Sequence, residues 1–402
     1  MTVGSKAARA TAADERARTA RRIARRGYPR TAAPARPPPP DRTHSRTMLA
    51  IHSRLRAALC GVALAGAALA QTTVNIPAAA DNTLYETIFG DASNGAGGST
   101  FVGTNSFGSI RRAVMRFNVA SVVPAGSRIL TARLDLYVTQ TTVALPLAMS
   151  GHRLTTSWGE GTSVASGGGG GGGAAAVGDA TWLHRFWNTQ LWATPGGDFV
   201  ATPSFTGSMP TFGAFSTNLS RAAADDVQGG LDNPASNHGW LLKVQNETLA
   251  STAHRLNSRE ATSNKPALVV TYLAPGQLGS YGTGCPTTGT NTAVASYSGS
   301  SAGGSTLTIN KSQTIPNSVG ADYFTISLDP VGIALLPGCT AYLPLAEVIN
   351  GSAFLTNGAG AGSSTLTVPT GFPGYLISCQ SAIIANNSLG FVLTNAALCV
   401  TQ

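Results

Sequence analysis

Charge is what this chain has least of. Only 11% of its 402 residues are Asp, Glu, Lys or Arg, against about 25% in ordinary globular proteins. Hydrophobic residues make up 43%, which excludes a wholly disordered chain, since disorder needs high charge and few apolar residues. No run of about 18 apolar residues occurs after residue 70, so a multi-span membrane protein is excluded as well. No His follows His254 and no Trp follows Trp240. The last third of the chain therefore lacks the commonest general base.

Positive charge is scarce everywhere except at the start. Residues 1–47 hold twelve basic and three acidic residues, and Arg54 and Arg56 add two more positive charges. Residues 71–402 carry thirteen basic and fifteen acidic ones. The net charge of +9 thus lies before residue 57. A basic chain normally suggests nucleic acid or an anionic membrane, but here the remainder is faintly acidic, and no nucleic-acid partner is expected.

Residues 1–47 are Ala/Arg/Pro-rich, end in four consecutive prolines, and are expected to be disordered. From Met48 a secretory signal peptide is expected over 48–70. Arg54 and Arg56 form its charged region, Ala57–Leu69 its apolar run, and Ala68-Leu69-Ala70 its cleavage site before Gln71. We read translation as starting at Met48, with 1–47 an artefact of start-site choice. The product is then secreted or held at the cell surface, with no transmembrane segment in the mature chain. Cys60 falls in the signal; Cys285, Cys339, Cys379 and Cys399 remain, an even set in an exported chain. Of the three pairings that four cysteines allow, Cys285–Cys339 with Cys379–Cys399 is the expected one. No C-x-x-C spacing suggests zinc.

Composition shifts near residue 275. All five Trp lie before it and all mature Cys after it, around Ala274-Pro275-Gly276-Gln277. We expect a first domain over 71–274, a linker over 275–284 and a smaller second domain over 285–402. Period-2 alternation fills both: Ala113, Met115 and Phe117; Ala132, Leu134, Leu136 and Val138; Trp240, Leu242 and Val244; Leu268, Val270 and Tyr272; then Phe324, Ile326 and Leu328, and Leu366 and Val368. Alternation places one face on a core and one in water, and Gly/Pro/Asn/Ser turns separate the segments. The fold class is all-β: a β-sandwich followed by a second, disulfide-bonded β-sandwich. Only 220–231 reads as a helix, with Ser220 as its cap. Seven glycines at 167–173 read as a flexible surface loop, because a phosphate cradle needs a strand before it and a helix after it.

Catalytic signals are weak. Gly299-Ser300-Ser301-Ala302-Gly303 matches a nucleophile elbow without the helix or His it requires. Asp225-Asp226 are neighbours on the expected helix and point apart. No catalytic residue is expected, although Tyr85, His184 and Arg185 are residue types that lyases use. The informative stretch is 152–199, where four of the five Trp fall within 35 positions, interleaved with Arg, His and acids. Aromatic faces stack on sugar rings, and Arg pairs bidentately with carboxylates. The ligand-binding candidates are Arg153, Trp158, Glu160, Trp182, His184, Arg185, Trp187 and Trp192. The alternative is that these Trp are core residues with satisfied N–H groups. No cofactor is expected, with a structural calcium ion left open.

Several ordered motifs carry a resemblance over about 71–273: Asp81-Asn82-Thr83-Leu84-Tyr85-Glu86, Arg112–Phe117, His152–Thr162, Asp179–Trp187, Leu231–Ala235, and Leu256-Asn257-Ser258-Arg259-Glu260 followed by Pro266–Tyr272. Together they resemble the DNRLRE domain, related to carbohydrate-binding modules attached to polysaccharide lyases. The resemblance implies a jelly-roll β-sandwich for the first domain and a non-catalytic, polysaccharide-binding function. Tyr281–Pro286 and Pro337-Gly338-Cys339 resemble C-terminal modules of secreted bacterial proteins. The expected partner is an extracellular polysaccharide, acidic in character. The alternatives are a structural or adhesive surface protein without a sugar ligand and, behind it, a polysaccharide lyase or hydrolase.

Overall fold

The computed structural model describes residues 71–402, so the expected Arg/Pro-rich segment 1–47 and signal peptide 48–70 lie outside the described residues. The chain is nearly all β. Residues 72–273 supply β1 (Thr72–Tyr85), β2 (Ala92–Ser93), β3 (Ser99–Thr104), β4 (Ile110–Phe117), β5 (Arg128–Thr141), β6 (Leu147–Arg153), β7 (Gly173–Ala174), β8 (His184–Phe186), β9 (Gln190–Leu191), β10 (Phe205–Met209), β11 (Gly213–Ser216), helix α1 (Arg221–Asp232), β12 (Trp240–Val244), β13 (His254–Asn257) and β14 (Ala267–Leu273).

Two antiparallel sheets face each other and share β1 and β3. One contains β14, β5, β11 and β13, the other β4, β12, β6 and β10. Strand β1 changes sheet midway: Thr72–Pro77 pair with β14, and Ala78–Tyr85 pair with β4 after a register shift between Ala78 and Ala80. Such a bulge bends the strand and re-aims the side chains after it. Strand β5 shows the expected alternation: Ala132, Leu134, Leu136 and Val138 are buried, and Arg133, Asp135 and Tyr137 are half-exposed. The inner faces of both sheets and the apolar face of α1 (Ala223, Ala224, Val227, Leu231) form one core. The helix starts where the sequence expects it, because Ser220 Oγ accepts the Ala223 amide at 3.0 Å.

The sandwich has a second core that alternation does not foresee. On β4, Ala113, Met115 and Phe117 face inward, yet Val114 on the opposite face is also fully buried. It packs with Leu84, Leu154, Trp158, Trp182, Trp192 and Leu241. The long connection after β6 folds across the outside of the sheet and keeps water off it.

The remainder supplies β15 (Leu278–Tyr281), β16 (Val294–Gly299), β17 (Thr306–Ser312), β18 (Val319–Thr325), β19 (Ile333–Leu336), β20 (Cys339–Ala341), β21 (Ile349–Leu355), β22 (Gly362–Thr367), β23 (Leu376–Ile384), β24 (Phe391–Leu393) and β25 (Ala396–Val400). A three-stranded sheet, β16-β17-β22, faces a second sheet ordered β15-β25-β23-β18-β21, with β24 beside β23. Tyr297, Leu307, Ile309, Ile377, Cys379 and Cys399 lie between them. Between the same sheets, Lys311 Nζ stands 3.0 Å from Asp322 Oδ1, both side chains fully buried. Ser364 and Ser381 donate to Asp322, and Lys311 Nζ also bonds Ser364 and lies 4.0 Å from the centre of the Phe354 ring. Every polar atom of this pair has a partner.

Three expectations are corrected here. Cys285–Cys339 is bonded, but Cys379 and Cys399 are free and buried. They sit on adjacent strands two residues out of register, since Cys379 pairs with Ala397 and Ile377 with Cys399. Diagonal neighbours lie about 7–8 Å apart, too far for a bridge. The expected linker 275–284 is largely structured, because Leu278–Tyr281 form β15 against β25 and the Gly276 amide donates to Val400 O at 3.0 Å. Ile326 is exposed, since β18 ends one residue before it. No strand pairing joins residues 72–273 to 278–400. Leu130 and Leu273 nevertheless pack with Leu376, Leu398 and Val400, and Arg221 pairs with Glu347 at 2.7 Å.

Candidate functional site

Most of the expected aromatic binding face is inside the protein. Trp158, Trp182 and Trp192 are buried under the connection after β6. Two of the three indole N–H groups are bonded inside the protein: Trp158 Nε1 donates to His238 O at 2.8 Å and Trp192 Nε1 to Thr181 O at 2.9 Å. Arg112 lies over the Trp182 ring at 4.9 Å while its guanidinium grips Glu247 at 2.8 Å. These three Trp are packing residues, and no ring face of theirs is free for a sugar. Trp240, on β12, is likewise buried and donates to Asp226 Oδ2 at 2.8 Å. Only Trp187 is partly open to solvent, with the His184 ring edge-on at 4.8 Å.

The lyase-type residues do not assemble either. Tyr85 is fully buried, and its hydroxyl donates to Gly169 O at 2.8 Å. That contact also anchors the glycine run. Gly169 is buried against Phe101, Gly170 O accepts Arg111 Nε at 3.2 Å, and Gly173 pairs with Ser93. Gly169 and Gly172 have positive φ (81° and 76°), which only glycine adopts without strain. Gly167, Gly168, Gly170 and Gly171 are exposed, so the run is a surface loop as expected, held to Tyr85 and Arg111 at Gly169 and Gly170. Ser301 of the elbow-like motif is buried with no His near it in sequence.

Of the expected arginines, Arg153 lines a cavity and Arg185 bonds a residue that lines its neighbour. Two adjoining cavities, of about 310 and 360 Å³, share Val119, Gly230, Asn237 and His238. Arg153 and Asp226 line the first, Arg116 and Ser157 the second. Arg153 pairs with Asp226 at 3.2 Å. Arg185 has only neutral partners, Ser157 Oγ at 3.0 Å and Ser157 O at 3.2 Å. Arg116 lies 5.7 Å over the Trp158 ring and makes no ion pair with the described residues. Burial, with the positive charge of Arg116, Arg153 and Arg185, pushes the His238 imidazole below its usual range. Register explains the assembly: Trp240 pairs with Met115 on one side and Arg153 on the other, so the turn before β12 sits where β4 and β6 end. Sequence reasoning missed Arg116 and His238. The only signal for His238 was its place two residues before a strand, in a turn without neighbouring charge.

Motif residues far apart in the chain form a second cluster. Asp81, just past the β1 bulge, is fully buried. Its Oδ2 accepts the Arg259 amide at 2.6 Å, and its own amide donates to Glu160 Oε1 at 2.9 Å. Arg259 binds Glu160 through two guanidinium nitrogens and Glu260 at 2.9 Å. Glu160 is therefore tied to Arg259, not turned outward toward a sugar. One carboxylate oxygen each from Asp81, Glu160 and Glu260 lies within 4.8 Å of the others. Asp81 Oδ1 and Glu260 Oε2 are buried with no hydrogen-bond partner. Burial pushes the Asp81 carboxyl up to about 8 against the pull of the Arg259 amide. Beside it, Asn82 Nδ2 donates to Glu160 O at 2.7 Å and Ser93 Oγ at 2.8 Å, holding the segments in place.

A third cavity, of about 670 Å³, lies in the second sandwich and is lined almost wholly by apolar residues such as Leu335, Leu343, Leu345 and Phe391. Its one amide, Gln380, is already spent on Tyr342 N, Thr340 O and Thr394 O. Among the described residues no helix is long and apolar enough to cross a membrane. The chain matches no protein-family model and no curated protein.

Proposed function

We propose that this is a secreted, non-catalytic protein that binds an acidic extracellular polysaccharide in the cleft around His238, in the manner of the DNRLRE domains its motifs resemble. One observation carries the reading. Arg153 lines the first of two adjoining cavities and Arg116 the second, Arg185 bonds Ser157 at the edge of the second, and of these three guanidinium groups a carboxylate pairs only with that of Arg153. A planar guanidinium with free donors is the side chain best shaped for a carboxylate. A uronate-bearing polymer supplies such carboxylates at regular intervals. Asp225 and Asp226 line the first cavity beside Arg153, so the unpaired positive charge lies on the side of the second cavity, at Arg116 and Arg185.

The binding reading moves from tryptophan faces to arginines, because the former are committed to the core. The non-catalytic reading rests on how the two carboxylates at the cleft are committed: Asp225 and Asp226 are neighbours on α1 and pair with Arg221 and Arg153 respectively, rather than standing across a scissile bond as a glycosidase pair does. The test is affinity electrophoresis of the secreted chain in gels containing alginate or pectin. Retardation is expected, and it is expected to disappear in Arg116→Gln and Arg185→Gln while the melting temperature stays within a few degrees. Retardation that survives both changes overturns the cleft. Absence of any retardation favours the structural or adhesive alternative. Appearance of unsaturated sugar products in the same samples would replace binding by a lyase activity.

A further inference from the structure

We propose that Asp81, Glu160 and Glu260 form a calcium-binding site in the first sandwich. The inference is independent of the polysaccharide reading, since the cluster and the His238 cleft share no lining residue.

Charge is the first argument. Three carboxylates share the cluster and one guanidinium, Arg259, offsets one of them. With all three ionised, two negative charges are left, partly removed from water, and a dication cancels them. Burying like charges without a counter-ion is costly, and the fold holds these carboxylates together from three separate chain segments.

Unmet bonding is the second argument. Asp81 is fully buried and its Oδ1 has no donor; Glu260 Oε2 is buried and equally unpartnered. Buried polar atoms in native proteins are almost always satisfied, by protein, water or an ion. The donors nearby are used elsewhere: the Arg259 amide goes to Asp81 Oδ2, and the guanidinium to Glu160 and Glu260 Oε1. Asp81 Oδ1 and Glu260 Oε2 are left as acceptors without donors, while both Glu160 oxygens already accept hydrogen bonds.

Geometry is the third. Calcium binds oxygen at about 2.3–2.6 Å, so two oxygens across one ion lie about 4.8 Å apart. The three carboxylate oxygens all fall within that separation. Calcium tolerates irregular coordination and mixed carboxylate and water ligands, whereas magnesium demands a near-ideal octahedron. Side chains of Glu260 (22% exposed) and Glu160 (17% exposed) leave a way in for the ion and its waters. Arg259 acts as the brace: by gripping Glu160 and Glu260 it holds both beside Asp81, where the β1 bulge has placed it.

The test uses the full secreted chain, stripped with a chelator and titrated with CaCl₂ by calorimetry, with MgCl₂ in parallel. One calcium ion per chain is expected, with Kd about 10⁻⁴–10⁻³ M as in other extracellular modules, and a calcium-dependent rise in melting temperature. Glu260→Gln is expected to bind at least about tenfold more weakly, because ligand charge sets affinity, while keeping the circular dichroism spectrum. Asp81→Asn should lose binding as well; if it fails to fold, Glu260→Gln decides alone. The proposal is overturned if CaCl₂ gives neither heat nor thermal shift, if magnesium binds and calcium does not, or if Glu260→Gln binds like the parent chain.

Discussion

The two sandwiches bury charge in opposite ways. In the second, a single pair, Lys311 and Asp322, lies between the sheets with Ser364 and Ser381 completing its hydrogen bonds. In the first, charge gathers half-buried around the buried Asp81, as Glu160, Arg259 and Glu260, and in a second group as Arg112, Lys243 and Glu247. The first of these groups leaves oxygens unmet. A closed network has nothing to offer a ligand; an open one does. The difference separates a group that holds a fold together from one that is built to take a partner.

The largest effect that sharpens this contrast is expected at the closed pair. Lys311→Met alone leaves Asp322 buried and uncompensated and should cost about 3–5 kcal/mol of unfolding free energy. Replacing both, as Lys311→Met with Asp322→Leu, should recover most of that loss, since apolar pairs of similar volume are often as stable. Urea denaturation of the two variants measures it. A double variant as unstable as the single one would mean the pair does more than satisfy itself.

Next come the tryptophans, which set packing against exposure within the first sandwich. Trp158→Ala should cost about 3–5 kcal/mol, as large aromatic truncations in a core do. Trp187→Ala should cost about 1 kcal/mol or less, because its ring is partly solvated and its loss opens no cavity. Equal losses at both sites, read by thermal denaturation, would break the distinction between the buried and the open aromatic.

The smallest effect is a pH dependence. Burial raises the Glu247 carboxyl, but hydrogen bonds and charge from Arg112, and then Lys243, outweigh it and hold it below its ordinary value of 4.5. A depressed folded value means these contacts stabilise the protein above the unfolded value and are lost as pH falls through the folded one. Glu247→Gln should therefore lower stability by about 1–2 kcal/mol at neutral pH, and the gap should narrow below about pH 4.5. Urea midpoints across pH 3–7 check the sign; a gap that widens in acid contradicts it.

Local chemistry was legible from residues alone. Alternation marked β5 and β14, Ser220 marked the start of α1, and the turn-rich, helix-poor pattern fixed an all-β class, because period and caps act over a few residues. The Cys285–Cys339 bond was also foreseen. The rest depends on how distant segments meet. Alternation on β4 implied a wet outer face, yet a connection crosses it and turns Trp158, Trp182 and Trp192 into core. Cys379 and Cys399 stay apart because strand register sets them on a diagonal, and register is a property of the whole sheet. Neither the arginines around His238 nor the carboxylates around Arg259 form a run in the chain. A composition or a motif names such residues; only the bulge in β1 and the pairing of β12 with β4 and β6 bring their charges within reach of one another, because electrostatic interaction depends on distance in space rather than along the chain.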